Sequence, residues 1–253
     1  MRNYNTYLKG MSKAQTEKLF FLSNPNINMK DYNTIIDFGC ATADVLKCCA
    51  QTETRCIGID HDNYMLMKAK ENFPDGIYYN SLEQMLADGN KITNKTLIIF
   101  NSVLHEIGEY SGNLIKLLDG TGATIVIRDM NYADGNEGFS QEDLSKLVRH
   151  GYADRLADFI AKYGIDLGEQ FLHYLLKYTY IDNWELELNE DYFSFDLAFF
   201  VNKLADGKPL YSYRYMLEYK RKQVLKHFDI TIPDGMTSHI QLIFKVKNRE
   251  TER

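Results

Sequence analysis

IIDFGCATADVLKCCAQTETRCIGID, residues 35–60, decides the fold of this chain. An apolar run ends in Asp37, Phe38 and Gly39. A loop of small residues follows, then a helix-length segment, then a second apolar run ending in Asp60. The order is strand, loop, helix, strand, with a carboxylate at the far end suited to sugar hydroxyls, the frame of a nucleoside-binding unit. A dinucleotide site asks for three glycines: one for the tight turn, one for pyrophosphate approach, one for helix packing. Here those positions hold Gly39, Ala41 and Asp44. A carboxylate in the first helical turn suits the helix dipole but repels a diphosphate docked on the same amides. Asp37 adds a second acid beside the loop. Two acids flanking a small-residue turn favour a cationic, amino-acid-bearing ligand over a phosphodiester.

The run Asp37-Phe38-Gly39-Cys40-Ala41-Thr42-Ala43-Asp44 resembles a degenerate form of the acidic-x-Gly-x-Gly-x-Gly loop of the class I (Rossmann-like) S-adenosylmethionine-dependent methyltransferases. Alanines stand in place of the second and third glycines. Asp60, closing Ile57-Gly58-Ile59-Asp60, is similar to that family's ribose-binding acid. The resemblance covers about residues 34–130 and a C-terminal piece. It implies S-adenosyl-L-methionine as cofactor, held by Asp37, Gly39, Cys40 and Ala41 at the loop and by Asp60 and its neighbour His61. It places Asn80 and Ser81 beside the adenine, with Leu82 and Met65 as apolar covers, and Asn101 and Ser102 beside the methionine moiety and the methyl group. The competing reading of the same residues is an α/β domain whose ligand site is lost or different.

Composition sets the outer bounds. The 253 residues fit one large domain or one and a half, and 45% hydrophobic content is ample for a core. A formal net charge of -6 gives no general attraction to nucleic-acid backbones or anionic membranes. No stretch approaches the length of uninterrupted apolar sequence that a membrane-spanning helix needs. The opening MRNYNTYLKGMSKAQ lacks the apolar core of a signal peptide, so a cytoplasmic protein is expected. Cys40, Cys48, Cys49 and Cys56 all lie inside the nucleoside-binding unit without paired CxxC spacing. They read as small buried hydrophobes in a reducing compartment, not as a metal site or a disulfide framework.

Along the chain, strands are expected at Thr34–Phe38, Arg55–Ile59, Ile77–Tyr79, Thr96–Phe100 and Ala123–Ile127. Helices are expected at Lys13–Leu22 with Ser12 as cap, Asp44–Ala50, Asn63–Asn72, from Ser81 through Leu86, and around Leu114–Leu118. Ser81 and Gln84 have capping-box spacing, and Thr96–Phe100 is apolar throughout, as a strand covered on both faces must be. The fold class is therefore α/β: a doubly wound, mostly parallel seven-stranded sheet. After Asn131 the pattern breaks. A loop at 134–138 precedes helical periodicity from Ser140, through Ala153–Tyr163 and Leu167–Tyr178, with strand character only at Trp184–Leu188. Residues 131–212 read as a mainly helical insertion after strand five, a lid that defines the substrate, against a core of 1–130 and 213–253. At the end, a helix Tyr213–His227, a strand Asp229–Ile232 and a strand Ser238–Val246 supply an antiparallel C-terminal hairpin, with 247–253 as a tail.

Ligands of open α/β sheets bind outside the carboxyl ends of the strands, where the strand order switches. His105 and Glu106, after strand four, are the candidates for catalysis. Methyl transfer from a sulfonium is an in-line displacement, so alignment supplies much of the rate and a base is needed only for a protonated acceptor. The competing reading makes one of the pair a buried loop anchor. Adjacent residues in extended chain point apart, so both face one pocket only if the segment curls. Arg128 and Asp129, closing strand five, are candidate substrate residues or a structural ion pair. Tyr213 and Tyr215 are candidate substrate residues within Tyr211–Lys222, where tyrosines interleave with bases. Such a stretch reads either as a nucleic-acid surface or as a helix covering the sheet. Thr237-Ser238-His239 precedes the last strand.

The function implied is a methyltransferase acting on oxygen or nitrogen of a small or mid-sized acceptor, neutral or cationic because residues 133–210 carry more acids than bases. The rivals are a nucleic-acid (RNA) methyltransferase, a non-catalytic nucleoside-binding module and, more remotely, a dinucleotide oxidoreductase. The Asn-Pro-Pro-aromatic signature of base-amine methyltransferases is absent after strand four, where Asn101-Ser102-Val103-Leu104 stands.

Overall fold

The computed structural model describes residues 15–133, 138–178, 184–189 and 195–249. Seven strands form one sheet: β1 (Thr34–Phe38), β2 (Arg55–Ile59), β3 (Ile77–Tyr79), β4 (Thr96–Asn101), β5 (Thr124–Ala133), β6 (Tyr211–Tyr215) and β7 (Thr237–Lys245). Their order is β3-β2-β1-β4-β5-β7-β6, the first five parallel and the last two forming an antiparallel hairpin. Every residue of β4 is buried, which is why its sequence is apolar almost without interruption.

Register places the functional edge. Phe38 lies level with Ile59 on one side and Phe100 on the other, and Asn101 lies level with Arg128. The chain leaves β1 for β2 and β3, then returns to β4 and β5 on the opposite side, so the order reverses between β1 and β4. That reversal opens a crevice at the strands' carboxyl ends.

By contact density the described residues fall into two compact units, 15–129 with 195–213 and 241–249, and 130–133 with 138–178, 184–189 and 214–240. In the first, helices α1 (Gln15–Lys18), α2 (Asp44–Cys49), α3 (Asn63–Asn72), α4 (Leu82–Ala87) and α5 (Ser111–Leu118) accompany the parallel strands. The core joins Phe21, Ile35, Leu46, Ala69, Leu97, Ile99 and Val126. In the second, α6 (Gln141–Arg149), α7 (Leu156–Tyr163), α8 (Glu169–Tyr178), α9 (Trp184–Asn189) and α11 (Glu218–Phe228) surround Leu147, Phe159, Phe171, Tyr174 and Val224. Helix α10 (Leu197–Leu204) belongs to the first unit, where Phe200 meets Phe100 edge to face at 6.2 Å. Helix α6 starts with a full capping box: Ser140 Oγ accepts from Asp143 N, and Asp143 accepts from Ser140 N.

Several expectations are corrected. Tyr211–Tyr215 is the sixth strand and the helix begins only at Glu218, so Tyr213–His227 is not one helix. The alternation Tyr-Ser-Tyr-Arg-Tyr is strand-like, and the run of charges after Leu217 is what turns helical. Asp229–Ile232 forms no strand: Asp229 is the left-handed cap of α11 at φ 57°, and β6 takes the hairpin place assigned to that segment. Trp184–Leu188 is helical. Thr237–His239 lies inside β7 rather than before it. Asp62 caps α3, accepting from Tyr64 N at 2.8 Å. Cys40, Cys49 and Cys56 are buried, but Cys48 is exposed on the outer side of α2. The cap assigned to Ser12, residues 134–137 of the expected loop and residues 250–253 of the tail lie outside the described residues. No helix among the described residues is long and apolar enough to cross a membrane.

Candidate active site at the carboxyl edge of the sheet

The loop after β1 is built from three residues in the left-handed region: Gly39 at φ 77°, Ala41 at φ 44° and Ala43 at φ 61°. Gly39 has no substitute. A Cβ there would stand 2.7 Å from Val103 Cγ2, so the loop packs directly against the Val103 side chain in the segment after β4. The two alanines occupy conformations that cost an L-residue about 1–2 kcal/mol each. Something must hold them. Gly39 N and Cys40 N both donate to Ile59 O, at 2.7 and 3.0 Å, and Asp60 Oδ2 accepts from Ala41 N at 2.9 Å.

Asp60 therefore works first on protein. Its other oxygen accepts from Asp62 N at 2.9 Å, so one carboxylate ties the loop to the start of α3. Each carboxylate oxygen has a second lone pair, which leaves capacity for ligand hydroxyls. His61 stands beside it with its side chain 90% exposed. Asp44, whose charge carried the argument against a diphosphate, is exposed and engaged. It accepts from Thr42 Oγ1 at 2.6 Å and from Asn72 Nδ2 at 2.9 Å. An exposed, hydrogen-bonded carboxylate is a screened one, so that electrostatic exclusion is weaker than the sequence implies.

Asp37 is the opposite case. It is buried, and its Oδ1 has no hydrogen-bond partner. Desolvation raises its pKa to about 7, against the pull of the Lys18 ammonium and with the help of the Asp60 and Asp44 charges. Asn101, at the end of β4, is buried with both Oδ1 and Nδ2 unpartnered. Three orphaned polar atoms on two neighbouring strand ends leave a deficit of about 1–3 kcal/mol apiece, which a polar ligand would remove. Lys18, in α1, completes this edge. Burial and the Arg128 charge lower its pKa, while Asp37, Asp44 and Asp129 oppose that. The sequence reading missed Lys18, because a lone lysine in a short amphipathic segment carries no pattern.

Asn80 and Ser81 serve local structure. Ser81 Oγ accepts from Gln84 N at 3.2 Å, and Gln84 Oε1 returns a bond to Asn80 N at 2.9 Å rather than to the cap itself. Asn80 Nδ2 donates to Asn63 Oδ1. Nearby, Tyr110 was also missed: its ring stacks on Phe38 at 6.2 Å and its hydroxyl donates to Glu83. Only the fold reveals that pair, 27 residues apart in the chain.

The segment after β4 is clamped from β5. Ser102, left-handed at φ 56°, donates its N–H to Arg128 O at 2.7 Å and accepts at Oγ from Arg128 Nη1. Asp129 Oδ2 accepts from Val103 N and Leu104 N at 3.0 and 2.7 Å, while Oδ1 meets His105 Nδ1 at 2.6 Å. Both oxygens of Asp129 are thus engaged by the loop it holds. Leu104–Glu106 curls into a 3-10 turn, the bend that brings His105 Nε2 and Glu106 Oε1 to 3.7 Å. His105 is buried and Glu106 is exposed. Tyr213 is exposed on β6, and Tyr215 rests against the His239 ring at 5.6 Å, whose Nδ1 meets Ser238 Oγ. Tyr215 lies on a strand and Tyr219 on a helix, so the single tyrosine-lined helix expected to cover the sheet over Tyr211–Lys222 does not form.

No protein-family model and no curated protein matches the sequence. Among solved structures, the chain is similar to the protein bound to the Trm112 methyltransferase activator of Haloferax volcanii, at 12% identity over 95% of this chain and 93% of that one, TM-score 0.50. It is also similar to the N-methyltransferase NodS of Bradyrhizobium japonicum, solved with S-adenosyl-L-homocysteine, at 11% identity over 92% and 86%, TM-score 0.45. A third match is a Sulfolobus solfataricus protein grouped with type 11 methyltransferases, at 21% identity over 44% of this chain and 63% of that one, TM-score 0.35. The chain thus spans less than two thirds of that third protein. With the strand order 3-2-1-4-5-7-6 and its antiparallel hairpin, the chain has the class I S-adenosylmethionine-dependent methyltransferase fold.

Two predictions follow from this geometry. Ala43→Gly relieves left-handed strain and raises the stability read from urea unfolding by about 0.5 kcal/mol, whereas Gly39→Ala lowers it by more than that. Asp37 has a folded pKa raised above its unfolded value of about 3.9, so its contribution is complete below that value and is lost as pH rises through about 7. Asp37→Asn therefore raises the melting temperature at pH 8 by at least about 2–4 °C, and the gain vanishes near pH 4. A gain that is equal at both pH values rejects the buried-carboxylate account.

Proposed function

We propose that this protein is a cytoplasmic S-adenosylmethionine-dependent methyltransferase acting on an oxygen or nitrogen of a small or mid-sized acceptor. The observation that carries it is the set of unpartnered buried atoms, Asp37 Oδ1 and Asn101 Oδ1 and Nδ2, beside a loop held by Asp60. A ligand with both amine and carboxylate groups satisfies such a mixed donor and acceptor set. Asp37 and Asn101 would hold its amino-acid end, Gly39 to Ala41 would pass close beneath it, and the second lone pairs of Asp60 would take ribose hydroxyls. His61, Asn80, Ser81 and Ser102 belong to the same edge as lesser contacts. The cofactor, when bound, supplies an electrophilic methyl group on a sulfonium.

The chain's own chemistry lies at His105. Asp129 fixes the imidazole through Nδ1, which directs proton acceptance to Nε2. Nε2 then takes the proton that an acceptor hydroxyl or ammonium loses, and Glu106 at 3.7 Å steadies the imidazolium so formed. Asp129 is a positioning residue in this scheme, and Arg128 sets the loop through Ser102. Alignment of acceptor and methyl supplies the larger part of the rate and general base catalysis about 10²–10⁴-fold.

Calorimetry provides the first test: S-adenosylmethionine and S-adenosylhomocysteine bind, NAD does not, and Asp60→Ala weakens both sulfur ligands at least about tenfold. NAD binding without the sulfur ligands overturns the proposal. For the base, methyl transfer from radiolabelled S-adenosylmethionine to a panel of phenols and amines is measured with His105→Ala. Turnover falls by about 10²-fold or more while S-adenosylhomocysteine affinity stays within about twofold. Equal loss of both makes His105 a scaffold residue.

A further inference from the structure

We propose that the helical unit contains a separate binding site for a planar aromatic carboxylate, built around the Arg155 guanidinium. Arg155 lies over two rings at once, Tyr178 and Trp184, each with its centroid 5.2 Å from Cζ. Tyr178 is the hub of the cluster. Tyr174 stands 5.7 Å from it and His227 5.8 Å, while Tyr152 meets His227 at 4.6 Å. All of these belong to the second unit.

The polar atoms of this cluster are what an ordinary aromatic core does not explain. Arg155 Nη1, Trp184 Nε1 and His227 Nε2 are each shielded from solvent and have no hydrogen-bond partner. Two of the three are donors in every state, and the third donates in one tautomer. Each buried, unpartnered donor costs about 1–3 kcal/mol, and all three belong to side chains of this one cluster. Acceptor oxygens remove it.

The chemistry narrows the ligand. A guanidinium fork favours a planar anion, and a carboxylate matches it with two parallel hydrogen bonds. Two ring faces within 5.2 Å of the guanidinium carbon favour a ligand that is itself flat and aromatic. Asp154 is the acid in contact: it accepts from Tyr178 hydroxyl at 3.0 Å and lies 3.9 Å from Arg155 Nε, so it aims the guanidinium. Its side chain is 58% exposed, which screens its charge, and it leaves Nη1 unbonded. The excess of acids over bases in residues 133–210 points to a neutral or cationic ligand; at this cluster the local donors outweigh that excess.

Trp184 is the single tryptophan of the chain, so its emission reports this site directly. The full-length protein is titrated with benzoate, with cyclohexanecarboxylate and with benzyl alcohol. Benzoate changes the emission saturably, and the other two bind at least about tenfold more weakly. Arg155→Lys keeps the charge but loses the fork, and lowers benzoate affinity about tenfold while S-adenosylhomocysteine binding is unaffected. Should Arg155→Lys not fold, His227→Phe decides instead: it keeps the ring packing, removes Nε2 and weakens benzoate about fivefold. No saturable response to benzoate, an equal response to benzyl alcohol, or full affinity in the variant that folds overturns the site.

Discussion

The bond from Ala41 N to Asp60 Oδ2 is the one on which the site edge depends. It spans the two strands of the first βαβ unit and holds a loop that its own sequence does not favour. Ala41 and Ala43 stand where glycines would be relaxed, at a cost of about 1–2 kcal/mol each. A charge-assisted hydrogen bond contributes about 1.5–3 kcal/mol, and Asp60 makes two to backbone amides. The opposing magnitudes are alike, so the loop keeps its shape because a carboxylate nineteen residues away insists on it. Any sugar that used Asp60 would therefore be felt in the loop itself.

Three acids on this edge show how differently a protein uses the same group. Asp60 and Asp129 each accept backbone N–H bonds and act as struts. Asp37, buried on the same sheet edge, has an oxygen with no donor and a raised pKa. Lys18 sits where the fields of Asp37, Arg128 and Asp129 overlap, and its burial is what lowers its pKa most.

The parallel half of the fold was legible because buried strands and amphipathic helices write periods of their own. Leu97–Phe100 is apolar because water never reaches it, and Asn63–Asn72 has one apolar face because only one is covered. The hairpin was legible as an architecture but not in its parts. Tyr211–Tyr215 alternates, yet the charged run that follows it is helical, and the junction at Met216-Leu217 carries no glycine or proline to mark it. Asp229–Ile232 is apolar enough to pass for a strand because Ile230 and Ile232 are buried in a core, not in a sheet. At this sheet edge, residues next to motifs stood out in the sequence, and residues paired across the fold did not. Tyr110 with Glu83 and Lys18 with Asp37 are contacts that no local spacing announces.

Net charge over a long segment says little about any one site, and the reason is physical. In water, a charge acts over roughly a Debye length, about 8–10 Å, so an average over eighty residues describes solvent-exposed faces. A recognition site is decided by the few groups that solvent does not screen. Around Tyr178 those groups are a stacked guanidinium, an indole N–H and an imidazole nitrogen, while the nearest acid stands largely in water. The same distinction separates Asp44 from Asp37. Both flank one loop, but the first is exposed and hydrogen-bonded while the second is buried and owed a partner. Counting acids treats the two alike, and burial makes the second the one a cationic ligand would meet.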